Sequence, residues 1–383
     1  MALNGVVKVV SSLTRSGSSV GQSDSVVNSI RLCLDEVGYR VGGAEIVYED
    51  LDDSTAQHGS WLAELERGNA RYAAADPDVL AYIGTLDADA APYSLPILNR
   101  AGPLLMISPC NTYPGLTKPV PWAPEEPGIH YPTGVRNYAR TALTDDLQAI
   151  AAAAWAAEQG IESVYVLHDT EPYGRGVAEP FAAACTRRGL RVLGGPEGIQ
   201  PKASDFTTLA RRVAASTPDA VYYGGIIQNG AGPLWRDIRE ALPGVQMIAP
   251  DAIYERAFLV DAGSYAEGTL ITFGGVPPAQ LDGAGRAFYE RYKRSYGIAP
   301  ESYAAATDDA CRVVLDAIDR VGAKDRAAIT RAVLATRDHD GLLGSWSFDP
   351  NGDITLRRVS RLTVADREFV FLSATEVNQY DTT

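Results

Sequence analysis

The sequence predicts an α/β protein of two lobes, each a doubly wound parallel sheet. Short apolar runs alternate with amphipathic helical segments along almost the whole chain, as in a series of βα units. The chain has 383 residues, which is too long for one ordinary core and suits two. A proline-rich stretch at 118–137 interrupts the alternation, and a second, similar series of βα units follows it.

The first series starts with a strand at Val6–Val10 and extends to about residue 143. Apolar residues recur at spacings of three and four in its helices and form short unbroken runs in its strands. Because each strand is followed by a helix, the sheet is predicted to be parallel. After the first strand, the predicted elements are a helix at 24–37, a strand at 45–48, a helix at 54–73, a strand at 79–83, a helix at 90–100 and a strand at 104–107.

The interrupting stretch, residues 118–137, carries five prolines and is predicted to be an extended surface loop. Its aromatic residues Trp122 and Tyr131 could reach a ligand or a partner. Aromatic side chains in such loops more often pin the loop to the body of the protein, and this is the alternative that we favour.

From about Asp145 the chain continues with a second series, and beyond Gly268 the strand at 269–273 should lead back to the first lobe. The closing segment, Gly344–Val377, is predicted to form strands, with Asn351-Gly352 as a hairpin signal. The predicted helices are 146–159, 176–188, 205–216, 232–242, 284–296, 302–321 and 326–335. The predicted strands before the closing segment are 163–167, 191–193, 220–223, 246–249 and 269–273.

One βαβ unit in the first lobe, Val79–Thr117, brings two polar loops together. Both strands of a parallel crossover run in the same direction, so the loops at 84–89 and 109–114 emerge at the carboxyl edge of one sheet. Open α/β sheets bind ligands at that edge. The unit therefore predicts a pocket for a small polar or zwitterionic ligand.

Four polar residues of these loops are candidates for that pocket. Asp87 or Asp89 can cap the helix that follows, while Asn111 and Thr112 offer short side chains and backbone amides. The plainer alternative is that Asp89 is only an N-cap and Thr112 only a turn residue. Local spacing does not decide between the two.

The run from Ile83 to Thr117, IGTLDADAAPYSLPILNRAGPLLMISPCNTYPGLT, resembles the signature of periplasmic solute-binding proteins of the leucine/isoleucine/valine-binding type. Further motifs of that family follow in the same order across nearly the whole chain. No one of them is specific, but the ordered set is strong. The motifs are Tyr138-Ala-Arg-Thr, His168-Asp with Tyr173-Gly-Arg-Gly, Val221-Tyr-Tyr-Gly-Gly, Ala249-Pro-Asp and Ala266-Glu-Gly-Thr.

The resemblance implies a type I periplasmic binding protein fold, in which three strands join the two lobes and form a hinge. It places the crossovers near Leu143, Phe273 and Ser347. Lobe 1 would then comprise residues 1–143 and 274–346, and lobe 2 residues 144–273 and 347–383. Sequence alone shows the βα alternation, whereas the number of crossovers comes from the family.

In lobe 1 the resemblance also assigns ligand contacts. The family's small hydroxyl residue for the ligand carboxylate is replaced by Ala88, so only the backbone N–H at the helix start could serve there. Cys110 matches the residue whose carbonyl meets the ligand ammonium, and Thr112 matches the one that offers a hydroxyl and an amide. Asp87 and Asp89 are thereby moved to capping or pocket-edge roles.

In lobe 2 two positions match the family and a third departs from it. Tyr173 corresponds to the tyrosine of the family's Tyr-Gly turn, and Asp251 stands where an acidic residue binds the ligand ammonium. A carboxylate accepts hydrogen bonds only, so it suits a cationic group. The aromatic residue that often follows the paired glycines is Ile226 here, which changes the shape of the pocket.

The resemblance implies a solute-binding protein of an ABC transporter, not an enzyme, which closes two lobes by a hinge on an amino acid or related small carboxylate. Its partners would be that ligand and a membrane permease, with no cofactor. A ligand-sensing domain of a regulator or receptor with the same fold is the alternative. A serine hydrolase is a remote one, because Gly17-Ser-Ser-Val-Gly21 fits G-x-S-x-G with Ser19 as nucleophile, although the turn is long rather than sharp.

Composition and spacing exclude several other classes. The formal net charge of −14 argues against a nucleic-acid partner, and no phosphate-binding glycine loop is present. The four histidines are scattered and no CxxC occurs, so we predict no metal site. The pair Asp145-Asp146 is interpreted as a helix start, and Asp52-Asp53 as a solvated loop. Cys33, Cys185 and Cys311 are expected to be buried free thiols.

The expected location is periplasmic, or extracellular with a lipid anchor, although the first ten residues lack the features of an export signal. We interpret the chain as a mature segment that has lost its signal and gained a new methionine. A cytoplasmic location is the less favoured alternative. No apolar run is long enough to span a membrane.

Overall fold

The computed structural model describes residues 3–377, which divide into two compact units. Unit 1 comprises the chain up to Leu143 together with Pro277–Leu356, and unit 2 comprises Thr144–Val276 together with the chain from Arg357 onward. The chain therefore passes between the units after residues 143, 276 and 356. The family resemblance placed these crossovers after residues 143, 273 and 346.

The strands of unit 1 form one six-stranded sheet and a separate two-stranded hairpin. In the sheet, every pair is parallel except β2 with β3, and the order is β2-β3-β1-β4-β5-β6. Its strands are β1 Val6–Leu13, β2 Arg40–Val41, β3 Ala44–Asp52, β4 Val79–Gly84, β5 Leu105–Ser108 and β6 Tyr138–Arg140, and the hairpin consists of β12 His339–Gly341 and β13 Gly344–Trp346.

Unit 2 contains a seven-stranded sheet of the order β15-β14-β11-β10-β9-β7-β8. The five strands from β7 to β11 are parallel, and the last two strands are antiparallel additions at one edge. These strands are β7 Ser163–His168, β8 Arg191–Gly198, β9 Ala220–Gly224, β10 Gln246–Ala249, β11 Leu270–Gly274, β14 Arg358–Ala365 and β15 Glu368–Glu376.

Most of the helices connect parallel strands as crossovers. In unit 1, α2 packs with α3, while α1 and α11 pack with α10. The helices are α1 Val20–Glu36, α2 Ala63–Ala75, α3 Ala91–Arg100, α4 Asp145–Glu158, α5 Pro172–Arg187, α6 Thr207–Ser216, α7 Ala231–Ala241, α8 Arg256–Ala262, α9 Gly283–Tyr296, α10 Ala304–Val321 and α11 Arg326–Leu334.

Each sheet is doubly wound in the same way. In both units the first parallel strand lies between the second and the third, so the direction of winding reverses beside it. Right-handed crossovers to either side place helices on opposite faces of the sheet. The reversal points are between β1 and β4 in unit 1 and between β7 and β9 in unit 2. The two doubly wound sheets confirm the predicted fold class. Ligands bind at reversal points in open α/β sheets, so these two edges are where a ligand is expected.

Most predicted elements lie where the sequence placed them, but two predictions about them were wrong. The helix predicted at 54–73 begins only at Ala63, because Asp52 Oδ1 accepts hydrogen bonds from the backbone and side chain of Ser54 and holds that segment in a turn. Asp53 is fully buried rather than part of a solvated loop. The interpretation of Asp145 as a helix start is confirmed, because α4 begins there.

The proline-rich loop at 118–137 is pinned to unit 1 by its aromatic residues. The Tyr131 hydroxyl donates to the Leu116 carbonyl at 2.7 Å, and Trp122 Nε1 donates to the Tyr113 hydroxyl at 3.2 Å. The pinning alternative is therefore confirmed. An antiparallel bridge between Phe348 and Ile354 closes the turn predicted at Asn351-Gly352.

Candidate functional site

In unit 1, the reversal point is bordered by Thr14, which follows β1, and by the loop 85–90, which follows β4. Thr14 Oγ1 lies 3.0 Å from Asp87 Oδ2, so a hydrogen bond crosses from one strand end to the other. The geometry puts the Asp87 carboxylate at the edge where a ligand is expected.

Neither aspartate of this loop is the N-cap residue of α3. The N-cap residue is Ala90, which makes no side-chain cap hydrogen bond, and its backbone N–H donates to the carbonyl of Asp87 at 3.2 Å. Ala88 and Asp89 are both buried. The turn at 87–90 closes through the main chain and puts Ala90, not Asp89, at the N-cap position of α3, while the pocket-edge roles of Asp87 and Asp89 stay predictions.

Asn111 joins the two polar loops of unit 1. Its Nδ2 donates to the carbonyls of Thr85 at 2.9 Å and Leu86 at 3.2 Å, and its Oδ1 accepts from the Tyr138 hydroxyl at 3.1 Å. The backbone N–H groups of Cys110 and Asn111 donate to Ser108 Oγ at 3.1 and 2.9 Å. These bonds make the Asn111 side chain a brace between loops, and they fix the course of the main chain at Cys110.

Thr112 follows in the same loop and is buried, as is Cys110. The path of the loop beyond them is held by Arg140, whose Nη1 donates to the carbonyls of Asn111 at 3.3 Å and Tyr113 at 2.8 Å. Arg140 Nε in turn donates to Asp353 Oδ1 at 2.7 Å. A buried ion pair thus sets the position of the segment that carries two of the predicted ligand residues.

In unit 2, Asp251 follows β10 and is only 3% exposed. Its Oδ1 accepts hydrogen bonds from Gln148 Nε2 at 2.8 Å and from the Tyr173 hydroxyl at 3.0 Å. Tyr173 lies in the first turn of α5 and Gln148 in the first turns of α4. Two donors on one oxygen orient the carboxylate, so the structure brings together two of the predicted site residues, Tyr173 and Asp251.

Ile226 lies at the other side of this edge, after β9, and is buried. Its backbone N–H donates to Asp169 Oδ2 at 3.0 Å, and the same oxygen accepts from Asn229 Nδ2 at 2.9 Å. Asp169 follows β7, so its carboxylate bridges the reversal point of unit 2. Burial, with the nearby charge of Glu171, raises the pKa of Asp169 to about 7.

Sequence reasoning missed the residues that hold these loops. Gln148 and Asp53 carried no motif that would single them out. Arg140 and Asp169 were within the quoted family motifs, Tyr138-Ala-Arg-Thr and His168-Asp, but the sequence attached no role to them. A polar residue directly after a strand was the signal that could have found two of them, Asp53 after β3 and Asp169 after β7.

The loop in front of Ser19 has six residues, 14–19, between β1 and α1. A nucleophile elbow needs a sharp strand-to-helix turn, and this connection is too long for one. Among residues 3–377, no group of three or more histidine, cysteine or acidic side chains is arranged to hold a metal ion. The four cysteines are buried and free, which confirms that expectation for Cys33, Cys185 and Cys311. None of the described helices is long and apolar enough to cross a membrane.

The family model described as periplasmic binding protein matches residues 6–366 of this chain. A curated relative, the Leu/Ile/Val-binding protein homolog 2 of Brucella abortus (strain 2308), is 29% identical over 258 residues, which cover 66% of this chain and 63% of the relative. An amino acid binding protein of Pseudomonas aeruginosa is 28% identical over 262 residues, or 67% of this chain and 64% of the relative. The matches thus span less than two thirds of the length of these relatives.

Among solved structures, a leucine binding protein, LivK, from Thermotoga maritima superposes on this chain with a TM-score of 0.85 at 25% sequence identity. The superposition covers 98% of this chain and 99% of the other. The likeness therefore extends over both units, beyond the segment that the curated relatives match.

Proposed function

This chain belongs to the periplasmic binding protein family, of the leucine/isoleucine/valine-binding type, and from that membership we propose that it is the extracytoplasmic solute-binding component of an ABC transporter. Its ligand is an amino acid or a related small carboxylate. A membrane permease is the partner that receives the ligand. Contacts from both lobes favour a closed form by hinge motion, so no covalent chemistry is required.

The observation that carries the proposal is the oriented carboxylate of Asp251. It is buried at the carboxyl edge of the unit 2 sheet, and Tyr173 and Gln148 fix its direction. A buried carboxylate held in this way is a preorganised acceptor for an ammonium group, and a charge-assisted hydrogen bond to it is stronger than a neutral one.

The proposed unit 1 contacts complement this acceptor. The turn at Ala88 lies just before α3, whose N-cap carries no side-chain hydrogen bond, and helix starts favour anionic groups. Thr112 and the main chain at Cys110 supply further polar contacts on a loop braced by Asn111. The unit 1 groups suit a carboxylate and the unit 2 acceptor suits an ammonium, and an amino acid carries both.

The test is calorimetry of protein that has been unfolded and refolded to remove bound molecules. The panel contains the common amino acids and small aliphatic and aromatic carboxylates. We expect at least one amino acid or small carboxylate to bind. Absence of binding across the whole panel would contradict the proposed ligand class.

For the ligand identified in that way, Asp251→Asn should weaken binding by about tenfold to a hundredfold, since a charge-assisted hydrogen bond contributes about 1.5–3 kcal/mol. Asp366→Asn makes the same change of charge at an exposed position of unit 2 and should bind as the unchanged protein does. Equal affinities of the two variants for an ammonium-bearing ligand would show that Asp251 is not its partner.

A further inference from the structure

Two carboxyl groups share one hydroxyl at the reversal point of unit 1. Thr14 Oγ1 lies 2.9 Å from Asp53 Oδ1 and 3.0 Å from Asp87 Oδ2. A threonine hydroxyl has a single proton, so it can donate to only one of these oxygens. If both carboxyls were ionised, the other would face the lone pairs of the hydroxyl. The geometry is satisfied when one carboxyl carries a proton and donates it to Thr14.

Asp53 is the better place for that proton. Its side chain is 0% exposed and its Oδ2 has no hydrogen-bond partner within residues 3–377, whereas Asp87 is on a half-buried loop position. An ionised oxygen without a donor is far more costly to bury than the carbonyl oxygen of a neutral acid. The carboxyl that avoids this cost by protonation is therefore Asp53.

The charges around Asp53 act in the same direction. Glu66 faces it from α2, Asp87 from the loop after β4, and Asp52 from the end of β3, and all three are acidic. Burial is the largest cause that raises the pKa of Asp53 well above its usual value, followed by the charges of Glu66 and Asp87, with a smaller effect from Asp52.

Glu66 is buried too, but it is provided with donors. Its Oε2 accepts from Ser12 Oγ at 2.5 Å and its Oε1 from the Tyr82 hydroxyl at 2.8 Å. In the part of the chain that the structure describes, Thr14 is the one side chain that hydrogen-bonds to the Asp53 carboxyl. Two carboxyls of the same buried cluster therefore differ in the hydrogen bonds available to an ionised form.

We propose that Asp53 is neutral in the folded protein at neutral pH and donates its proton to Thr14 Oγ1, which donates its own to Asp87 Oδ2. Asp53 is then a positioning residue. It acts through Thr14 to hold the Asp87 carboxylate and the turn at Ala88 at the ligand edge of unit 1. The positioning role rests on the proposed function, but the protonation of Asp53 does not.

The protonation can be tested without any ligand. In Asp53→Asn the side-chain amide can donate to Thr14 in place of the carboxyl proton. The infrared difference spectrum between this variant and the unchanged protein at pH 7 should show the loss of a protonated carboxyl band. Loss of an ionised carboxylate band instead would overturn the proposal.

The pH dependence of stability gives a second test. The folded pKa of Asp53 is raised above its unfolded value, so its proton stabilises the folded state below the unfolded pKa, and this contribution is lost as pH rises through the folded pKa. Between the unfolded and the folded pKa of Asp53, the unfolding equilibrium constant of the unchanged protein should increase with pH more steeply than that of Asp53→Asn. The difference should be up to about tenfold per pH unit.

The matched control is Asp340→Asn, which removes a carboxyl at an exposed position of unit 1. It should keep the pH dependence of the unchanged protein. Comparing variants in this way cancels the contributions of buried acids that do not interact with Asp53, such as Asp169 of unit 2. If Asp53→Asn and Asp340→Asn follow the same curve, Asp53 is not neutral and the proposal is overturned.

The positioning role is tested with a ligand found by calorimetry. Thr14→Val removes the hydroxyl that joins Asp53 to Asp87 and should weaken ligand binding at least tenfold. As pH is raised, the ligand affinity of the unchanged protein should fall, whereas that of Asp53→Asn should stay constant. Affinity equal to that of the unchanged protein in Thr14→Val would overturn the positioning role. If nothing in the panel binds, the proposed function fails, and the infrared and stability measurements still decide whether Asp53 is neutral.

Discussion

Asn111 shows how a residue that a sequence places in a binding site can serve the site indirectly. The pattern at the end of β5 marked it as a polar group in the ligand loop. In the structure both hydrogens of its amide face main-chain carbonyls of the neighbouring loop, at Thr85 and Leu86. An amide is required there because it donates in that direction and accepts in the other, from the Tyr138 hydroxyl.

Asn111→Asp should therefore lower the free energy of unfolding by about 3 kcal/mol at pH 7. The change places a carboxylate against two carbonyl oxygens in a fully buried position and removes the amide donor that they share, although the Thr85 carbonyl keeps its hydrogen bond from Ser108 Oγ. Urea titration measures the difference.

Asn4→Asp makes the same chemical change at an exposed position of unit 1 and should alter the stability by less than about 0.5 kcal/mol. A loss in Asn111→Asp no larger than in this control would mean that the brace between the two loops contributes little.

At the scale of elements, one arginine joins the two chain segments of unit 1, because it lies in Pro277–Leu356 and hydrogen-bonds to the segment that ends at Leu143. Arg326 is the first residue of α11, and its guanidinium donates to five main-chain carbonyls. These carbonyls belong to the end of α2 and the residue beyond it, the first residue of β4 and the C-cap of α3. They are Ala73, Ala74, Asp76, Val79 and Ala101. A positive group at two helix ends satisfies carbonyls that the helices leave unpaired.

Arg326→Lys should lower the free energy of unfolding by about 2–4 kcal/mol. An ammonium has three donors and no planar fork, so it cannot reach carbonyls that spread over three elements. Arg331→Lys, on the exposed face of the same helix, is the control and should be nearly neutral. Equal denaturation midpoints for the two variants would argue against the anchoring role of Arg326.

At the scale of the whole molecule, the same winding occurs twice. Each unit places its first parallel strand between the second and third, and in each a polar side chain bridges the ends of the two strands where the winding reverses. The bridge is Thr14 with Asp87 in unit 1 and Asp169 with Ile226 in unit 2. Each unit thus presents a preorganised edge, and preorganisation lowers the cost of binding a ligand.

A ligand that binds the folded chain and not the unfolded one must stabilise the whole molecule. At a free ligand concentration of 100 times Kd the gain is about 2.7 kcal/mol. Differential scanning calorimetry should show Tm rising steadily with the concentration of the ligand identified from the panel. The mirror-image form of the same amino acid is the control and should have little effect. A Tm independent of concentration would contradict binding to the native state.

Residue patterns predicted some features better than others. Strand and helix alternation predicted the two sheets because burial on both faces leaves unbroken apolar runs, as at Val79–Gly84. The start of α2 was misplaced because a local hydrogen bond from Ser54 to Asp52 overrode the helical periodicity. The contacts of Ala88, Cys110, Thr112 and Asp251 with a ligand remain predictions, whereas the bonds that hold their loops are explicit in the structure.

By itself, the sequence determined the fold class, the family and the two edges where a ligand is expected, because periodicity and ordered motifs are properties of neighbouring residues. The tertiary structure decided which polar residues hold the loops. Asp53 and Thr14 are 39 residues apart, and Arg140 and Asp353 are 213 apart. Protonation and hydrogen bonding depend on such distant neighbours and on burial, and these exist only once the chain is folded.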